Sequence, residues 1–205
     1  MNKLKLLMMW CLMLGILVSC GDKDNDASPK ETAELDYQPT TQGSTWSYGG
    51  STPYTVLATG KTKMIDGKSY AEMETKRGSE TGKSYLLKEK GVYTAIGMDP
   101  SLGDVALTFL KEETPVGKPW EQSNVINGIQ TKMTFTIIGK GISKTVEGKT
   151  FKEVIHVQMN ATYTIMGTEV ELGIPTDYYW AKGVGLILTD MGQLGNFPLL
   201  TYSIK

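Results

Sequence analysis

Residues 65–73 read Ile65-Asp66-Gly67-Lys68-Ser69-Tyr70-Ala71-Glu72-Met73, and residues 146–154 read Val146-Glu147-Gly148-Lys149-Thr150-Phe151-Lys152-Glu153-Val154. In each, an acidic residue and a glycine sit between two apolar-rich runs. Acid-Gly at that place is a strong two-residue hairpin signal, because the favoured turn needs positive φ and glycine adopts it without steric cost. The same hairpin written twice points to a strand-built chain that repeats itself.

The repetition continues on both sides. Upstream stand Pro39 with Gly43-Ser44-Thr45-Trp46, and Pro115 with Gly117-Lys118-Pro119-Trp120. Downstream stand Lys90-Gly91-Val92 and Lys182-Gly183-Val184, again between apolar runs. The three landmarks recur in one order at offsets of 74, 81 and 92 residues, so the second copy has longer strands or insertions. Alternation agrees with strands. Met133, Phe135 and Ile137 face one way, and Lys132, Thr134 and Thr136 the other. In Phe151–Met159 the apolar Phe151, Ile155, Val157 and Met159 share a face that only Glu153 interrupts. About twelve strands fit between Ser44 and the Phe197–Ile204 run. Asp99 to Leu110 reads both ways: Asp99 and Pro100 could open a short helix, while Val105, Leu107 and Phe109 alternate as a strand, which the surroundings favour.

The expected fold is therefore all-β and antiparallel: a curved sheet or open barrel built from two related halves, residues 43–97 and 115–189, within one domain spanning 43–205. A two-sheet β-sandwich is the alternative. A chain of this size can build such a domain on one core.

The N-terminus is of another kind. Lys3 and Lys5 precede an apolar run from Leu6 to Val18, and Leu17-Val18-Ser19-Cys20 closes it. As a helix the run would rise ~20 Å, short of the ~30 Å of a bilayer's hydrocarbon core. Charged start, short apolar region and small residue at the cut make a secretory signal peptide. With a cysteine at its end, the segment resembles a bacterial lipoprotein signal. The resemblance implies cleavage between Ser19 and Cys20, removal of residues 1–19, a diacylglyceryl group on the Cys20 sulfur and an acylated (palmitate-type) amine. Several buried acyl chains hold a protein to a membrane where one does not. Cys11 and Cys20 are the only cysteines, so the exported domain has no disulfide.

From Cys20 to Gln42 the chain is polar, acidic and poor in large apolar residues, which reads as a flexible tether. Asp22, Asp24 and Asp26 follow the cysteine closely. They resemble the acidic export signal of surface-displayed lipoproteins in some Gram-negative groups. Gly21 departs from the aspartate that retains lipoproteins in the inner membrane. The expected location is the cell envelope: anchored by lipid in the outer membrane of a Gram-negative bacterium, with surface display as a further step.

The chain carries 21 Lys+Arg and 22 Asp+Glu, and only Lys3 and Lys5 precede Cys20, leaving a net charge of −3 beyond it. That balance excludes the basic footprint a nucleic-acid partner needs. The single histidine, His156, alternates onto the solvent side of its strand with Lys152 and Gln158 and has no second histidine or cysteine to complete a metal site. No nucleophile elbow, phosphate loop or dinucleotide fingerprint occurs. Glu72 with Glu74, and Glu169 with Glu171, read as solvated strand faces rather than catalytic pairs. No catalytic residue, metal or cofactor is expected, and the chain is not read as an enzyme.

Aromatic residues are the remaining binding material. Trp46 and Trp120 hold equivalent places in the repeat and read as core anchors. In Asp177-Tyr178-Tyr179-Trp180-Ala181-Lys182, Tyr178, Trp180 and Lys182 share a face, and rings beside a lysine suit a sugar or an apolar ligand. Core burial competes with that reading. From Gln42 to about Thr189, the Gly-x-x-Trp opening, the Gly-Lys-Ser/Thr-aromatic hairpins and the closing Tyr-Tyr-Trp-Ala-Lys-Gly-Val-Gly-Leu-Ile are similar to a group of uncharacterised all-β exported lipoproteins. The expected function is a non-catalytic envelope lipoprotein that binds or assembles with a glycan or protein partner. The alternative is a carrier of an apolar or lipid ligand within a curved sheet.

Overall fold

A computed structural model describes residues 35–97, 105–126, 128–171 and 174–205. The signal segment, Ser19, Cys20, the aspartates behind it and the Asp99–Asp104 part of the helix-or-strand segment lie outside the described residues. The first half contributes β1 (Thr45–Tyr48), β2 (Tyr54–Ile65), β3 (Lys68–Arg77), β4 (Glu80–Glu89), β5 (Val92–Ile96) and β6 (Ala106–Lys111). The second contributes β7 (Pro119–Ile126), β8 (Ile129–Val146), β9 (Lys149–Ile165), β10 (Thr168–Glu171), β11 (Thr176–Ala181), β12 (Gly185–Asp190) and β13 (Asn196–Ser203). Strand β6 is the strand form of the ambiguous segment.

All thirteen strands belong to one antiparallel sheet, ordered β6-β5-β4-β3-β2-β1-β13-β12-β11-β9-β8-β7, with β10 paired to β9 beside this path. A single sheet excludes the sandwich. Neighbours are also consecutive in sequence with two exceptions: β9 pairs β11, with β10 between them in the chain, and β1 pairs β13, which joins the two halves. The two ends of the path, β6 and β7, approach without a backbone ladder. Gln122 Oε1 accepts the Thr108 N–H at 2.8 Å, and the Trp120 indole donates to the Thr108 carbonyl at 3.1 Å. Side chains thus stand in for ladder bonds along the seam, and the sheet is nearly closed into a barrel.

The two halves of the sheet run past the expected bounds of 43–97 and 115–189, the first to Lys111 and the second to Ser203. Each half is a six-strand meander, with β1 to β6 matched by β7, β8, β9, β11, β12 and β13. Asp66-Gly67 joins β2 to β3 and Glu147-Gly148 joins β8 to β9. All four residues have positive φ (49°, 75°, 48° and 75°), as a type I′ turn requires. A further landmark precedes each turn by the same interval: Gly60 (φ 75°) and Gly141 (φ 64°) lie at register breaks in β2 and β8. Beyond each break the hairpin lays a lysine over an outward tyrosine of a later strand. Lys63 Nζ lies 4.6 Å from the Tyr85 ring centre and Lys144 Nζ 3.9 Å from that of Tyr179.

Alternation fixes the interior. Along β8, Thr131, Met133, Phe135 and Ile137 are buried while the residues between them are not. Glu153 interrupts its apolar face because it occupies a bulge: its φ is 51°, and the four residues from Phe151 to Val154 oppose the three from Ile142 to Lys144 on β8. Trp120 stacks on Phe135 with ring centres 5.4 Å apart, filling the β7–β8 side of the core. Trp46 and Tyr48 reach past β13 to bond the carbonyls of Val184 (2.6 Å) and Leu186 (2.9 Å), where β12 has left its ladder with β13. Both tryptophans of the repeat are buried and each patches a break in the sheet, which is why neither is replaceable by a purely apolar ring.

Candidate functional site

The hairpins at Asp66-Gly67, Lys90-Gly91, Glu147-Gly148 and Lys182-Gly183 all lie at one end of the barrel, as the meander requires. The segment Leu35–Gln42 packs across this end, which corrects the expectation that the tether runs to Gln42. Tyr37, Gln38 and Pro39 are buried. The Tyr37 N–H donates to the Tyr93 hydroxyl at 3.1 Å, and the Gly183 N–H donates to the Asp36 carbonyl at 2.8 Å. The Lys88 ammonium pairs with the Asp36 carboxylate. Burial works to lower the pKa of Lys88, but hydrogen bonds to Asp36 and Tyr93 outweigh it and leave the ammonium firmly charged. One tyrosine in a polar run gave too little apolar signal to mark this stretch as part of the domain.

Within the barrel, between the first half and β11–β13, lies a cavity of about 320 Å³. Its wall is mostly apolar: Met73, Leu86, Leu107, Phe109, Trp180 and Leu186 all contribute. Gln38 lines it at the hairpin end. Toward the opposite end the lining changes to Tyr54, Thr75, Arg77, Tyr178 and Thr189. Phe109 stacks on Trp180 at 4.6 Å and tilts against Tyr93 at 6.1 Å, so aromatic rings from β5, β6 and β11 form one packed cluster across the interior. The Trp180 indole N–H is buried and meets no acceptor among the described residues. An unpaired buried donor costs roughly 1–3 kcal/mol, so this ring stands in the wall with one polar group uncompensated by the described residues.

Tyr178 and Trp180 share a face as expected, and that face is the inner one. Trp180 is only 2% exposed, so the pair forms the wall of a cavity and not a shallow external platform. Lys182 does not join them: its ammonium lies 5.9 Å from the Tyr37 ring at the hairpin end. His156 is not solvated as alternation implied. It is half-buried, with Nε2 2.7 Å from Asp177 Oδ1 and its ring stacked on Tyr179 at 4.3 Å. Gln158 donates to the same carboxylate oxygen at 3.1 Å.

Glu72 also departs from expectation. It is buried, paired to Lys83 at 3.0 Å and accepts from Thr59 at 3.2 Å. The Lys83 hydrogen bond, with help from Thr59, holds its carboxyl below the usual range. Glu74, Glu169 and Glu171 do not converge with it. Glu169 pairs with Lys132 at 3.4 Å, and Glu171 borders a hollow on the outside of the sheet together with Glu121.

Arg77 is the residue that alternation alone did not single out, although the sequence held a signal: it is the one arginine of the chain. It lies opposite Glu80 in the β3–β4 ladder, yet forms no ion pair with a described carboxylate. Its guanidinium instead lies over the Tyr54 ring, 5.6 Å from the centre. Burial pushes the Tyr54 hydroxyl up to about 12 against the opposing effect of Arg77. Tyr54 also stacks on Tyr48 at 4.7 Å, which fixes the ring beneath the cation.

No family model matches the chain, and no curated protein matches it. Two solved structures share its fold. One is a protein of Parabacteroides distasonis designated a lipoprotein, with a TM-score of 0.51 and 11% identity over 82% of this chain and 99% of that one. The other is an exported protein of Bacteroides fragilis with a YmcC-like fold, with a TM-score of 0.51 and 8% identity over 83% of this chain and 100% of that one.

Proposed function

We propose that this chain is a non-catalytic envelope lipoprotein, anchored through Cys20, whose barrel carries a small apolar ligand. The observation that carries the proposal is the cavity walled by Phe109, Trp180, Leu86 and Met73. Its volume lies at the lower end of the range of small-molecule sites, and its mostly apolar lining with few polar groups is what such sites have in common. The names borne by the two fold neighbours, one a lipoprotein and one an exported protein, support the envelope part of the reading. The lipobox Leu17-Val18-Ser19-Cys20 supports lipid anchoring, and Gly21 supports the outer membrane as its site. A glycan platform at Tyr178 and Trp180 loses its basis, because sugar stacking needs an accessible ring face and Trp180 is buried.

Native mass spectrometry of the full chain, extracted from the membranes of a Gram-negative host in mild detergent, tests both parts. The expected spectrum shows covalent acyl mass on Cys20 and a non-covalent adduct that is released on denaturation. A chain that takes up no adduct, even after incubation with the host's extracted lipids, contradicts the carrier reading. A mature chain without acyl mass contradicts the anchor.

A further inference from the structure

We infer that the cavity selects an anionic amphiphile, a single alkyl chain ending in a carboxylate, with its head on Arg77 and its tail directed toward Phe109 and Trp180. This deepens the carrier reading and rests on it.

The lining is graded along the barrel. Toward the hairpin end it is built by Met73, Leu86, Phe109 and Leu186 with Gln38 and Ser84 among them, and toward the other end Arg77, Thr75, Thr189 and Tyr54 stand beside Met191 and Phe197. A ligand that is apolar throughout would leave the second group unused. Arg77 is the only guanidinium in a chain that otherwise uses lysine, and a guanidinium presents a planar fork matched to a carboxylate. Its cross-strand neighbour is Glu80, but its guanidinium lies over Tyr54 at the cavity wall. Arg77 lies four positions beyond Met73 on β3, about 13 Å at ~3.3 Å per step, close to the length of a decyl chain. Charge, grading and depth therefore point to the same occupant.

The test measures binding of decanoate and of decanol to the full-length protein in detergent at neutral pH, by isothermal titration. The expected result is roughly tenfold or greater preference for decanoate, reflecting the charge-assisted hydrogen bonds to the guanidinium. In Arg77→Gln the preference disappears while decanol binding is unchanged, and Arg77→Lys restores part of it. Arg77 is exposed, so the variants keep the wild-type thermal midpoint. Equal binding of decanoate and decanol by the wild type overturns the inference and leaves the carrier reading standing. A preference that survives in Arg77→Gln overturns it as well. Failure of both probes to bind overturns the carrier reading itself.

Discussion

Phe109 of β6 and Trp180 of β11 stack across the inside of the barrel with ring centres 4.6 Å apart and planes inclined by 25°. Their strands are not neighbours in the sheet, and β6 is one of its two ends. The contact ties that end to the opposite wall, so one ring pair contributes both to closure of the barrel and to the cavity.

Trp180→Ala should destabilise the domain by about 3–5 kcal/mol, the usual cost of deleting a buried tryptophan. Trp180→Phe keeps the stack on Phe109 and removes the unpaired N–H, so it should cost far less. Urea unfolding of the two variants checks this. Similar losses for both would mean that the indole N–H has a partner.

The seam makes a separate prediction. Gln122→Leu removes the acceptor of the Thr108 N–H and should cost about 1–3 kcal/mol. Hydrogen exchange at the Thr108 amide should accelerate in this variant, while Ile137, inside the β8–β9 ladder, stays protected. Unchanged exchange at Thr108 would show that the side-chain bond does not hold the edge.

The equivalence of the two hairpins can be measured as matched energies. Gly67→Ala and Gly148→Ala each force an alanine to φ 75° with no atom near its Cβ. Each should therefore cost about 1–2 kcal/mol, from backbone strain alone. Gly50→Ala should cost clearly more, because its Cβ would lie 2.3 Å from the Asn196 carbonyl oxygen. A large difference between the two hairpin variants would argue against equivalent turns.

Acid should weaken the fold through Glu72. Its pKa is lowered in the folded state, chiefly by the Lys83 hydrogen bond, so its contribution is present above the ordinary carboxylate value. That contribution is lost as pH falls through the lowered folded value. Glu72→Gln should flatten the acid limb of stability against pH, read from urea midpoints, with little change in slope above neutrality. An unaltered acid limb would assign the acid sensitivity elsewhere.

Most of the architecture was legible because hairpins and alternation are local. Asp66-Gly67, Glu147-Gly148 and the Met133-Phe135-Ile137 face depend only on neighbours in the chain. Alternation also grouped Tyr178 with Trp180, but it divides a strand into two faces without saying which is inner, and Tyr179 on the other face is equally aromatic. Lys182 left the group because it lies beyond the end of β11, in the turn before β12. Burial of Glu72 depends on Thr59 beside the Gly60 register break and on Lys83 of the next strand, and the His156–Asp177 contact depends on the β9–β11 register. Neither follows from spacing within one strand. Arg77 stood out only by composition, and its inward placement over Tyr54 needed the curvature of the sheet.

The sharpest measurement follows the indole N–H resonances of ¹⁵N-labelled protein during titration with decanoate. Of the four tryptophans, Trp10 lies outside the described residues, leaving Trp46, Trp120 and Trp180 in the domain. Trp180 should move most, because its ring lines the cavity where the alkyl tail is placed; Trp120, on the β7–β8 side and bonded to Thr108, should stay in place. A static Trp180 signal under saturating decanoate, or equal shifts of Trp180 and Trp120, would contradict a ligand site inside the barrel.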